Sequence, residues 1–217
     1  MPTIQLNANL KPETGDLILV DPNTLVSQMA IRLFSTPSKK CHTYHAGPIT
    51  SKRAQYSNTR ITHTLNIHNP RATIDNLYSY LASVRHGGGR YVIVRPSFLA
   101  DLDLHEPERA ARYRETCSSL CQMYEGMPYP VWDLYVIFKR VTGLQKLLPF
   151  TKERWNDYCI QGCAKIYKNN MVHPWCPDVV DREELPAAIH FEKACQQGFF
   201  ELIAESNVGF WRELLTE

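Results

Sequence analysis

The residue best suited to covalent chemistry is Cys159, in the run Tyr158-Cys159-Ile160-Gln161-Gly162-Cys163. From Lys152 to Lys168 apolar residues recur at helical spacing, with Thr151 in position to cap the N-terminus and Glu153 in the first turn. Cys159 then falls in about the second turn of that helix. There the positive end of the helix dipole lowers a thiol's pKa and raises the share of thiolate, the form that attacks a carbonyl carbon. The spacing by itself favours a small core residue, which free cysteine often is.

A thiolate nucleophile needs a base within hydrogen-bond reach and a polar group to orient that base. Eight histidines compete for the role. His45 follows Tyr44 and precedes Ala46-Gly47, and these small residues let another element approach the backbone closely. His63 lies in the next extended stretch and is expected to stand beside His45 and orient its far ring nitrogen. Asn66 and His68 fall on the other face of a regular strand. Cys117 and Cys121, like Cys159 and Cys163, are four apart on a helix, so a four-thiolate zinc site is the competing use of the cysteines. Structural zinc sites more often set such pairs on knuckles or loops, and here two helix pairs would have to converge on one ion, so no metal or other cofactor is expected.

The elements that must carry these groups follow from apolar patterning. Gly15 to Asp21 (GDLILVD) reads as a buried strand, followed by an amphipathic helix over residues 24–34. Residues 43–49 and 60–67 read as the next two strands, and Tyr91 to Val94 as a fourth. The 3–4 spacing of Ile74, Leu77, Tyr78 and Leu81 predicts a helix from about residue 71 to the glycines at 87–89. Further helices are predicted over 106–124, 132–141, 152–168 and 187–204. Strands first and helices after predict an α+β layer architecture.

A chain of 217 residues with 44% apolar content can bury one sizeable core, so one domain over 1–217 is expected. The net charge of +2 is dispersed, and Lys39, Lys40, Lys52 and Arg53 read as a solvated loop, which argues against a nucleic-acid partner. The opening residues lack a basic start and a cleavage site, and apolar runs stop well short of a bilayer span. A soluble, cytoplasmic protein without stable membrane insertion is therefore predicted. Seven cysteines in such a chain favour reduced thiols over a disulfide framework.

The ordered set GDLILVD, YHAGPI, YVIVRP, MPYPVWDL and DYCIQGCAKIY resembles the permuted papain-like amidases, the YiiX-like branch of the NlpC superfamily, over roughly residues 15–204. In that family a Gly-Asp-hydrophobic strand precedes a Ser-His-hydrophobic-Gly strand bearing the base. The nucleophile follows much later, in a Tyr/Phe-Cys-Ser-Glu-hydrophobic helix start. The counterparts here are Gly15-Asp16, His45-Ala46-Gly47 and Tyr158-Cys159-Ile160-Gln161, with Tyr44 and Ile160 departing from the pattern. The resemblance implies a circularly permuted papain-like fold, a small antiparallel sheet packed against helices, with the catalytic Cys159 at a helix N-terminus. It implies a cysteine hydrolase in which His45 draws the Cys159 proton, His63 orients His45, and an acyl-thioester forms and is hydrolysed. The implied partner is a peptide, isopeptide or cell-wall amide substrate, or alternatively a lipid acyl group. An inactive papain-like binding scaffold is the reading from a different class.

Overall fold

The computed structural model describes residues 5–6, 11–25, 28, 41–53, 60–66, 71–128, 163, 166 and 188–216. The helices expected over 24–34, 132–141 and 152–168 lie largely or wholly outside the described residues, as does Cys159.

The architecture is α+β. Among the described residues seven strands, β1 (Gln5–Leu6), β2 (Leu17–Asp21), β3 (His45–Arg53), β4 (Arg60–Asn66), β5 (Thr73–Asn76), β6 (Arg90–Pro96) and β7 (Phe200–Glu205), form one sheet in the order β1-β7-β6-β2-β3-β4-β5. Every pairing is antiparallel. Among the described residues five helices accompany them: α1 (Leu77–His86), α2 (Ser97–His105), α3 (Pro107–Tyr124), α4 (Ala188–Gln196) and α5 (Phe210–Leu215).

β2 is buried along its whole length because it is central and covered on both faces, as its unbroken LILV run requires. Alternation then divides the core. Leu17, Leu19, Ala46, Leu65, Val92 and Val94 point to one side, where Leu99, Tyr113, Cys117, Phe191 and Phe210 from α2 to α5 complete the larger cluster. Ile18, Val20, Ile49, Tyr91 and Ile93 point to the other, against Leu77, Leu81 and Val84 of α1. Burying side chains such as Phe191 and Phe210 contributes about 1.5–3 kcal/mol each.

Two expected helices are partly strand. Residues 73–76 form β5, and α1 starts only at Leu77, because Asn76 takes an extended ψ of 125° and its side chain accepts from Ser79 N. The span expected as a helix over 187–204 is broken after α4, where Gly198 has a φ of +81°. The chain then returns as β7 between β1 and β6. The strands-then-helices order was therefore too simple, since a late strand rejoins the sheet.

Among the described residues no helix is long and apolar enough to cross a membrane.

Candidate functional site

The Gly-Asp and Arg-Pro runs meet at one end of the sheet. β2 and β6 pair Leu17 with Val94, so Asp16 and Arg95 come side by side one position further on. Arg95 Nε donates to Asp16 Oδ1 at 2.8 Å and Nη2 to Oδ2 at 3.1 Å, with both side chains buried. Burial pushes the Asp16 carboxyl up, and the Arg95 guanidinium pulls against it. Asp103 and Glu13 extend the pair to Arg114 of α3, at 2.6 and 2.9 Å. These motif residues anchor β2, β6 and α3 to one another. Gly15 belongs to the same corner: its φ is +96°, and a Cβ would lie 3.0 Å from the Leu99 side chain.

His45 opens β3 at the other end of the strand pair, opposite Val20, and is 8% exposed. Its Nε2 lies 3.3 Å from Oδ1 of Asn66, the last residue of β4. Asn66 Nδ2 in turn donates to Asp75 Oδ2 at 2.6 Å, and Thr73 Oγ1 donates to the same oxygen at 3.0 Å. Tyr80 of α1 meets the His45 ring edge-on, with centroids 6.4 Å apart. His45, Asn66 and Asp75 thus form a line of polar side chains running across three adjacent strands.

Gly47 makes this closeness possible. A Cβ there would stand 2.7 Å from the Leu65 carbonyl oxygen and 2.9 Å from Thr64 Oγ1. Backbone cannot yield as a flexible side chain can, so Gly47→Ala is expected to force β3 and β4 apart. The expected cost is about 1–3 kcal/mol, read by urea denaturation, and an unchanged midpoint would show that the two strands have room.

His63 does not stand beside His45. It pairs with Thr50, five residues further along β3, and with Asn76 of β5. Alternation also puts it on the face of Leu65 and Thr50, and Thr50 bonds Ser118 of α3. His45 lies on the opposite face, that of Val20, Ile49 and α1. The reason is register: odd positions of β3 pair with even positions of β4, so Asn66 rather than His63 shares the face of His45. The polar side chain beside His45 is thus Asn66, not His63 as expected.

The lead-in to His45 is held by a residue that sequence reasoning missed. Glu192 of α4 is 1% exposed and accepts from Thr43 N and Thr43 Oγ1, each at 2.6 Å, and from His42 N at 2.9 Å. Cys41 Sγ approaches the same oxygen at 3.6 Å. Burial pushes the Glu192 carboxyl up, and the Thr43 and His42 donors pull it back. The available signal was a glutamate on an apolar helix face, beside Phe191, Ala194 and Cys195. Glu192→Leu leaves buried N–H groups unpaired at about 1–3 kcal/mol each. Its melting temperature is therefore expected to fall by several degrees, and a melt equal to wild type would contradict this clamp.

Of the expected cysteine helix, Cys163 and Ile166 are described; both are helical and buried in the larger core. The hydrogen bond between Cys121 and Cys117, then burial, push the Cys121 thiol well up, and Cys163 lies close enough to add to this electrostatically. Among the described residues no group of three metal-binding side chains occurs. Cys163 and His45 occupy opposite faces of the sheet. His45 opens β3 and so stands at a rim of the sheet. The chain changes faces at that rim, since Cys41 belongs to the larger core and His45 to the α1 side.

The sequence matches no protein-family model and no curated protein.

Proposed function

We propose that the protein is a thiol hydrolase of the permuted papain-like type, with Cys159 as nucleophile, His45 as base and Asn66 as the group that orients it. The observation carrying this reading is the hydrogen bond between His45 Nε2 and the Asn66 side-chain oxygen. A carbonyl oxygen only accepts, so Nε2 bears the proton and Nδ1 is left as the basic nitrogen for the sulfur. A cysteine, a histidine and an asparagine in this order of contact form the triad of papain-like enzymes.

In the reaction, Nδ1 takes the Cys159 proton and the thiolate adds to an acyl carbon. The imidazolium returns the proton to the leaving amine as the C–N bond breaks, and water then hydrolyses the thioester. An amide of a peptide, isopeptide or cell-wall type is the favoured substrate, with a lipid acyl ester as the alternative. The test is acid quenching during exposure to a series of activated acyl esters and peptidyl amides, followed by peptide mass analysis. A hydroxylamine-sensitive acyl mass on Cys159, absent from Cys159→Ser, is the expected result. The burial of Cys163 on the face away from His45 favours a second reading, a papain-like binding scaffold without turnover. That reading predicts no acyl mass on Cys159 with any ester or amide.

A further inference from the structure

From the His45–Asn66–Asp75 line we infer that Asp75 is a positioning residue that fixes which nitrogen of His45 is basic. The inference rests on the proposed role of His45 as base.

An asparagine side chain is nearly symmetric in shape but not in polarity. Turned one way, Asn66 presents an acceptor to His45; turned the other, it presents donors. An Nε2 facing an acceptor must carry hydrogen, which leaves Nδ1 with its lone pair. An Nε2 facing a donor must itself accept, which puts the hydrogen on Nδ1 and removes the base from the side where a sulfur would meet it. The choice between the two states of Asn66 is therefore the choice between a working and a silent histidine.

Asp75 makes that choice. An ionised carboxylate has acceptors only, and Asp75 Oδ2 lies 2.6 Å from the Asn66 amide nitrogen. Reversing the amide would bring two oxygens to that separation. Thr73 Oγ1, donating to the same oxygen at 3.0 Å, helps to hold the carboxylate in place. The placement depends on the sheet: Asp75 faces Thr64 across the β4–β5 pair and Thr73 faces Asn66, so all three polar residues fall on the face of His45. The polarity of one carboxylate is thereby transmitted through an amide to an imidazole that it does not touch.

The experiment is nitrogen-15 NMR of the histidine-labelled full chain, which reads the protonation of each ring nitrogen, combined with the pH profile of Cys159 alkylation by iodoacetamide. In the wild type, neutral His45 is expected in the Nε2–H form by more than about tenfold. In Asp75→Asn the neighbouring group can donate or accept, so the two forms are expected to approach equal populations. Loss of the correct tautomer in a serine-protease triad costs about 10⁴ in turnover. One residue further from the reaction, about ten- to a hundredfold is expected, with recovery in Asp75→Glu.

A dominant Nδ1–H form in the wild type, or an unchanged tautomer in folded Asp75→Asn, would overturn the assignment; the wild-type measurement stands even where the variant does not fold. If the tautomer responds to Asp75 but alkylation of Cys159 is indifferent to His45→Ala, the hydrolase reading fails while the control of the ring by Asp75 is upheld.

Discussion

In His45→Ala, alkylation of Cys159 at pH 5 is expected to fall at least tenfold, and turnover of any substrate by roughly 10²–10⁴. The first figure follows from the thiolate fraction. An unassisted thiol with a pKa of about 8.5 is about one part in three thousand ionised at pH 5, whereas a thiol paired with an imidazolium is largely ionised there. The gain is not realised in full, because nucleophilicity falls with pKa along a slope of about 0.4–0.5. Several orders of magnitude in ionisation thus shrink to one or two in rate. The shape of the profile is more diagnostic than its height. Wild type is expected to keep an alkylation rate nearly flat from pH 5 to 8, and His45→Ala to lose about tenfold per pH unit below 8. Parallel profiles for the two proteins would mean that His45 does not act on the sulfur. Rates for Cys117 and Cys121 provide an internal reference, since both thiols are buried and their slow labelling should not respond to His45.

The largest loss of stability is expected from Arg95→Met. Asp16 is wholly buried, and Arg95 supplies its two short charge-assisted bonds while also donating to the Lys11 carbonyl at 3.2 Å. Removing the cation leaves a buried carboxylate without its counter-charge, an error that costs about 3–5 kcal/mol. Replacing both members by apolar residues is much less damaging, because neither charge then needs to leave water. Asp16→Leu on the Arg95→Met background should therefore restore a large part of the loss.

The pH dependence has a defined sign. Without Arg95, burial, the largest influence on Asp16, is opposed only by the Glu13 backbone N–H, so the folded-state pKa rises further above the unfolded value. The folded variant then holds its proton longer than the unfolded chain. Its deficit is smallest below the unfolded carboxylate pKa and grows as pH rises through the folded one. Denaturant midpoints at pH 4 and pH 7 check this; a deficit under about 1 kcal/mol at pH 7, or one larger at pH 4, would contradict it.

The central strands were legible because their physics is local. The unbroken LILV of β2 and the VIV of β6 can belong only to strands covered on both faces, and both are found where the apolar runs lie. The same reasoning misread residues 73–76, because Ile74, Leu77 and Leu81 satisfy helical spacing although Ile74 belongs to a strand. It also merged α4 with β7, since apolar residues continue through both and only Gly198 marks the break.

The tight setting of His45 was legible from Ala46-Gly47, since a Cβ at Gly47 would stand 2.7 Å from the Leu65 carbonyl oxygen. The polar partner of His45 was not. His63 and Asn66 differ by an odd number of positions, so a shift of one residue in the β3–β4 register decides which of them faces His45. That register is set by long-range pairing, which no local pattern encodes. Asp75 and Glu192 were missed for a related reason: each gains its role from a partner on another element.

The most direct measurement is the distance between Cys159 Sγ and His45 Nδ1 in a crystal structure that shows the cysteine turn. A separation within about 4 Å, with Asn66 on the far nitrogen, is the predicted result. A sulfur lying with Cys163 on the α3 side of the sheet, screened from the imidazole by β3, would contradict it.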